Sequence, residues 1–303
     1  MAKNIEWFIR HIKPLLEIGS EYNSKYPGEY YTPREWAVVK LVGLKYYLDI
    51  YTKIIPKHFT GKMRYIDLLA GNGLNQIKST GDIIAGSALL AAHTEVPFDE
   101  YIFIEENSKY CSDLDRRTCK IPRAFHIHNG DCNIIVPNLV ESFNDNDHYL
   151  AFIDNEGLDV SWGTLRSLFR KKGDLIINFQ TNGINRTRGR AENDPKYESV
   201  LTRLYGDDGW KSCKSEADML GLYKNNIMEQ SDRKQIVTLH VQGTKSYSYD
   251  LILAAKQTSA RNPWLQPMRH IGSLFNEYGP DYVKTALQRA AGKQSGLRDY
   301  FNY

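Results

Sequence analysis

Four acids stand at the downstream ends of short apolar runs. Asp67 follows Met63-Arg64-Tyr65-Ile66, Glu105 follows Tyr101-Ile102-Phe103-Ile104, Asp131 comes just after Phe125-His126-Ile127-His128, and Asp154 follows Tyr149-Leu150-Ala151-Phe152-Ile153. An acid at the end of a buried strand is hydrogen-bonded or used chemically, because stranding a buried polar group costs several kcal/mol. The first acid leads into Leu68-Leu69-Ala70-Gly71-Asn72-Gly73, a turn whose two glycines lack Cβ and let a ligand approach the backbone. A strand feeding such a turn at the carboxyl edge of a parallel sheet is where α/β folds bind nucleotide-like ligands. There Glu105 can accept both hydroxyls of a ribose, with Glu106 the adjacent alternative. Asp131 can accept from an adenine amino group, with Ile104 and Cys132 flanking the ring. Asp154 would orient or deprotonate a nucleophile. Singly, these features read as a tight turn, a solvated acidic turn and a helix N-cap. Their shared order along the chain is the more specific signal.

Elements must hold these groups together. The apolar runs at 64–69, 101–104, 125–128, 149–153 and 175–179 read as strands, and the stretches between them read as helices or turns. Cys111 to Cys119 and Ser161 to Phe169 are predicted helices, and Ala85 to Ala92 is a small-residue helix. Alternation of this kind predicts a doubly wound parallel sheet. Gln235–Val241 and Tyr249–Ala255, separated by Gly243-Thr244-Lys245-Ser246, add an antiparallel hairpin. Upstream, Thr32-Pro33-Arg34-Glu35 predicts a capped start to an amphipathic helix through Tyr51, with Lys40 and Lys45 on a solvated face. Leu74 to Gly81 reads as a variable loop. The organisation expected is a helical segment at 1–60, a sheet domain at 61–260 with an insertion near 183–234, and a helical appendage at 261–303. Within the insertion, helical stretches are expected near 195–205 and 215–229, and a further helix from Pro280 to Ala291.

Composition sets the bounds. The chain has 303 residues, 42% of them hydrophobic and 25% charged, as in ordinary globular proteins. A net charge of +3 gives no global attraction to nucleic acid, so any basic surface must be local. Arg186-Thr187-Arg188-Gly189-Arg190 is the local candidate, able to bind phosphate or simply to form a solvated loop. The four cysteines form no C-x-x-C pair, which disfavours zinc and fits reduced thiols in a cytoplasmic protein. His126 and His128 share a strand face at metal-pair spacing, but ordinary strand histidines are the simpler reading, so no metal is expected. No apolar run spans a membrane.

The run hydrophobic-Asp67-Leu68-x-Ala70-Gly71-x-Gly73 resembles the first motif of S-adenosylmethionine (SAM) dependent methyltransferases. With it go Gly86-Ser87, Phe103-Ile104-Glu105-Glu106, Phe152-Ile153-Asp154 and Leu175-Ile176-Ile177-Asn178-Phe179-Gln180-Thr181-Asn182-Gly183-Ile184-Asn185-Arg186. Together, over roughly residues 32–255, they resemble the three-Cys-motif partner protein family, which is methyltransferase-like. The resemblance implies a Rossmann-like class I methyltransferase sheet, mostly parallel with a terminal antiparallel hairpin, and a winged-helix-like carboxyl region suited to nucleic acid. It also implies SAM as cofactor, bound by Asp67, Ala70, Gly71, Gly73, Glu105, Asp131 and Cys132. Asp154 and a substrate-facing loop carrying Asn182 and Arg186 would hold the acceptor for in-line methyl transfer, with nucleic acid the preferred acceptor class. A protein or small-molecule acceptor is the first rival, and a non-catalytic protein partner that keeps the fold is the second. One departure favours the latter. Asn155-Glu156 follows Asp154 where enzymes acting on base amines carry proline and an aromatic, so a flipped base would lack its stacking partner.

Overall fold

The structure, a computed structural model, describes residues 2–243, 247–258, 262–275 and 279–293. Seven strands form the central sheet: β1 (Met63–Asp67), β4 (Glu100–Glu105), β5 (Phe125–Asn129), β6 (His148–Ile153), β7 (Gly173–Phe179), β8 (Gln235–Gln242) and β9 (Ser248–Ala255). Their order is β5-β4-β1-β6-β7-β9-β8. All pairings are parallel except those of β9, which runs antiparallel to both β7 and β8. This is the class I methyltransferase arrangement that the strand pattern led us to expect. The strand order reverses direction at β1, so the loops after β1, β4 and β6 open onto one crevice.

Both faces of the sheet are covered, which explains why β1, β6 and β7 are mostly apolar without alternation and buried along their whole length. One face carries α1 (Ala2–Lys25), α2 (Trp36–Ile54), α10 (Gln266–Phe275) and α11 (Pro280–Ala290). Phe8 and Ile12, Leu44 and Leu48, Ile271, and Leu287 from these helices join Tyr65 and Leu251 of the sheet in a single core. The helices at both ends of the chain thus share one core with the sheet. On the opposite face α5 (Cys132–Glu141), α6 (Trp162–Phe169), α8 (Pro195–Tyr205) and α9 (Glu216–Gln230) bury Val136, Leu165, Leu204 and Tyr223 against Ile66 and Ile177. Beyond β9 the described residues are helical and include no strand that would form a wing.

Four local expectations are sharpened or corrected. Residues 2–25, expected only as part of a helical segment at 1–60 with no bounds of their own, form α1 straight through Pro14. Its apolar stripe of Ile5, Phe8, Ile12, Leu15 and Tyr22 is buried at helical spacing, and tertiary burial outweighs the lost backbone bond. The expected loop after Gly73 contains β2 (Leu74–Gln76), which pairs antiparallel with β3 (Ile83–Ala85); α3 (Ser87–Ala92) follows. Helix α2 starts at Trp36 with Glu35 at its N-cap and no side-chain cap, so Thr32 does not cap it. Instead, Tyr31 bridges to Asn75 and fastens the incoming chain to β2. Finally, Asn182-Gly183 is not a turn. Residues 181–191 form α7 (Thr181–Ala191), anchored by buried Ile184 in the second core and by Asn185 Nδ2 donating to Glu216 Oε1 at 3.0 Å. The turn residues proposed at 244–246 between β8 and β9 lie outside the described residues.

Candidate functional site

The turn after β1 is pinned between its neighbours. Leu68 N donates to Phe152 O at 3.1 Å and Ala70 N to Ile104 O at 2.9 Å. Gly71 and Gly73 adopt φ of +62° and +88°, the left-handed region that favours glycine. A Cβ on Gly71 would meet nothing within 4 Å, because the space in front of it is open cavity. Gly86 N donates to Gly73 O at 2.7 Å and closes the back of the turn. Glu105, at the end of β4, lines the same cavity. Its Oε2 accepts from Gly71 N at 2.9 Å and its Oε1 from Asn107 N at 2.9 Å, so the carboxylate is fixed beside the glycine turn. Glu106 is exposed and lies outside the lining.

Asp67 does not reach the cavity. It is wholly buried beneath the turn, with Tyr65 Oη donating to Oδ2 at 3.1 Å and Oδ1 left without a partner among the described residues. Burial lifts its carboxyl to about 7, and the nearby Ser87 hydroxyl draws it only part of the way back. Asp67 therefore supports the turn from below. Direct contact with a ligand in the cavity is not its geometry.

The far wall is an ionic cluster. Lys40 of α2 is buried, contrary to the solvated face expected for it, and its Nζ lies 2.5 Å from Asp154 Oδ2 and 3.0 Å from Glu156 Oε1. Asn178 Nδ2 donates to the other Asp154 oxygen at 2.6 Å, and Tyr31 Oη donates to Glu156 Oε2 at 2.5 Å. Burial alone would depress the Lys40 ammonium, but the two carboxylates outweigh it and hold the amine charged. Burial raises the Asp154 carboxyl against the pull of Lys40, whereas Lys40 pulls Glu156 down. Each Asp154 oxygen thus already accepts one hydrogen bond or ion pair from the protein. Asn155, in the position of the missing proline, turns inward and accepts from Val160 N at 3.0 Å, holding the loop that presents Glu156.

The remaining expected site residues divide. Asp131 caps α5, its Oδ1 accepting from Asn133 N at 2.8 Å, and it lies outside the lining. Cys132 is buried behind it, which pushes its thiol up to about 12, and it does not line the cavity either. Ala70 lines the cavity. Asn182 and Arg186 lie one helical turn apart on α7 rather than on a loop, and they line a second cavity that shares Tyr31, Pro33, Ala37 and Glu156 with the first. No group of three metal-ligating side chains occurs among the described residues. Lys40, Glu156, Tyr31 and Tyr110 all line the first cavity, and none was singled out by strand-end reasoning.

No protein-family model and no curated protein matches the chain. Solved structures do. A Legionella pneumophila protein assigned to the family DUF519 is 10% identical, with 77% of this chain and 92% of that one covered at a TM-score of 0.46. An O-methyltransferase from Bacillus cereus, solved with SAH, is 10% identical over 82% of this chain and 91% of its own, at 0.44. Trm1 from Pyrococcus horikoshii, solved with S-adenosyl-L-methionine, is 11% identical over 73% of this chain and 56% of its own, at 0.38. No helix among the described residues is long and apolar enough to cross a membrane.

Proposed function

We propose that the protein is a SAM-dependent methyltransferase that holds the cofactor in the cavity between the glycine turn and the Lys40 cluster. The observation that carries this reading is the open space in front of Gly71, bounded by the fixed Glu105 carboxylate. The donor set fits the group. Backbone N–H groups of the turn suit the amino-acid end, and Glu105 keeps acceptor capacity for ribose hydroxyls. Tyr110, on α4 (Ser108–Thr118), adds an aromatic edge beside the space for the base. Bound there, SAM supplies an electrophilic methyl group. The chain's own work is positional: Asp154 and Glu156 orient the acceptor while Lys40 and Asn178 keep Asp154 still. Nucleic acid is the acceptor class we favour, reached through the second cavity.

A second reading has its own support. The Asp154 carboxylate, already held by Lys40 and Asn178, and the inward-turned Asn155 suit a non-catalytic SAM-binding protein, in keeping with the resemblance to the three-Cys-motif partner family. Labelled SAM added to cell extract separates the two, since only the enzyme transfers label, and an Asp154→Ala variant sets the background.

Titration calorimetry with SAM tests the cofactor assignment itself. The wild-type protein should bind. Gly71→Val should lose binding, because the branched side chain fills the open space and resists positive φ. Glu105→Ala, which disturbs no core packing, should weaken it by about tenfold or more, the loss of a charged hydrogen-bond acceptor. A wild-type protein that takes up no SAM at millimolar concentration defeats the assignment.

A further inference from the structure

The second cavity combines groups that the cofactor reading leaves unused. Trp36 and Tyr247 form its aromatic wall, stacked with ring centroids 4.7 Å apart and an interplanar angle of 29°. Arg34 lies with its guanidinium 5.3 Å from the Trp36 ring centre, and Arg186 comes in from α7. Both arginines are exposed, and neither has a carboxylate within ion-pair distance among the described residues. Their neighbours in the basic run differ. Arg188 donates to Cys213 O at 2.9 Å and Arg190 packs over Tyr197, both outside this cavity. Glu156 stands in the wall common to both cavities, two residues on from Asp154.

We infer that this cavity is the acceptor subsite, and that it takes a nucleotide unit of a single-stranded nucleic acid. The inference rests on the proposed cofactor site only for the direction in which the acceptor must point. A base lies against the Trp36–Tyr247 wall, displacing the Arg34 guanidinium from over the Trp36 ring toward phosphate, and stacking tolerates any base because each has a π-face. An exocyclic N–H on that base finds the Glu156 carboxylate at the passage toward Asp154. The two guanidinia belong to different segments, the entry to α2 and the first turns of α7. With no carboxylate of their own to pair with among the described residues, each can take a phosphate of a chain. The stacking partner that the missing aromatic after Asp154 would have supplied is provided instead by Trp36 at the start of α2 and Tyr247 just before β9.

The test compares a mixed-sequence single-stranded pentamer, in RNA and DNA versions, with the unphosphorylated nucleosides and with benzoate, by fluorescence titration across a salt series. The pentamer should bind and the nucleosides and benzoate should bind far more weakly. Arg34→Ala and Arg186→Ala should each lower the log–log salt slope by about 0.7, the value for one phosphate contact on a single strand. Trp36→Leu should weaken binding about 5- to 150-fold, the range for one lost base stack. Arg190→Ala removes the same charge outside the cavity and should leave the slope unchanged. The same variants, assayed for SAM affinity and melting temperature, report whether the fold and first cavity survive. Slopes that fall equally for Arg190→Ala and Arg186→Ala, or a pentamer that fails to bind a protein that binds SAM, overturn the subsite. Preferential binding of benzoate does the same, pointing to a small aromatic acid. A protein that binds the pentamer as described but not SAM loses the cofactor assignment and keeps the subsite.

Discussion

Lys40→Met is expected to destabilise the protein by about 3 kcal/mol at pH 8, because it leaves buried Asp154 without its cation. Removing one partner of a buried pair costs about 3–5 kcal/mol, mostly as the desolvation of the charge left behind. Asp154 keeps 22% of its side-chain surface open toward the cavity, so water relieves part of that cost and the lower end of the range applies. The loss should depend on pH. Burial already raises the Asp154 carboxyl in the native protein, and without Lys40 it rises further above its unfolded value. A folded-state acid with a raised value contributes stability at low pH that is lost as pH climbs through it. The variant should therefore approach wild type near pH 4 and fall furthest behind above the raised value. Pairing it with Asp154→Asn removes the orphaned charge and should recover most of the deficit. Denaturant melts of the two variants at pH 4.5 and pH 8 check this. Equal destabilisation at both pH values, or no recovery in the double variant, would mean that the Lys40 ammonium is not what holds the cluster.

How much of this was legible in the residues follows from the range of the forces involved. The strands that lead into Asp67, Glu105 and Asp154 announce themselves locally, because a strand buried on both faces carries a nearly continuous apolar run that stops where a polar turn begins. The glycine turn is legible because positive φ is a local property, here of Gly71 and Gly73 on either side of Asn72. Lys40 is different. Its partners lie 114 and 116 residues away, and nothing near it distinguishes a buried amine from a solvated one. The cluster at the far wall thus became visible only through the packing of α2 on the sheet. Asn182-Gly183 is a case of local chemistry losing to tertiary burial: the pair favours a turn, but Ile184 next to it has a core to enter. Helix α1 is legible as part of the helical segment at 1–60, and its stripe sets its bounds. Ile5, Phe8, Ile12, Leu15 and Tyr22 repeat at helical spacing, and Pro14 masks the pattern only if proline is taken as an absolute stop. Gly19 on that stripe packs so closely that a Cβ would fall 2.5 Å from the Ile84 backbone, which ties α1 to β3 and so to the wall of the first cavity.

Asp67→Asn should flatten the dependence of stability on pH between about 4 and 7. In the folded protein burial holds this carboxyl at about 7, against an ordinary value of 3.8. The folded state thus keeps its proton while the unfolded chain gives it up, and stability falls as pH rises through that window. A gap of roughly three pKa units corresponds to about 4 kcal/mol between the two ends, reached in full only above the folded value. The buried amide cannot ionise, so the variant should be less stable than wild type at pH 4, where neutral Asp67 is accommodated, and should overtake it by pH 8. The same substitution separates the two roles open to Asp67. The carboxyl lies wholly beneath the turn and outside the cavity lining, so SAM affinity should change by less than about tenfold at pH 8, against the larger loss expected for Glu105→Ala. Were Asp67→Asn to lose SAM binding while melting normally, the acid would have to reach the ligand by a rearrangement of the turn, and the support role assigned to it would be wrong.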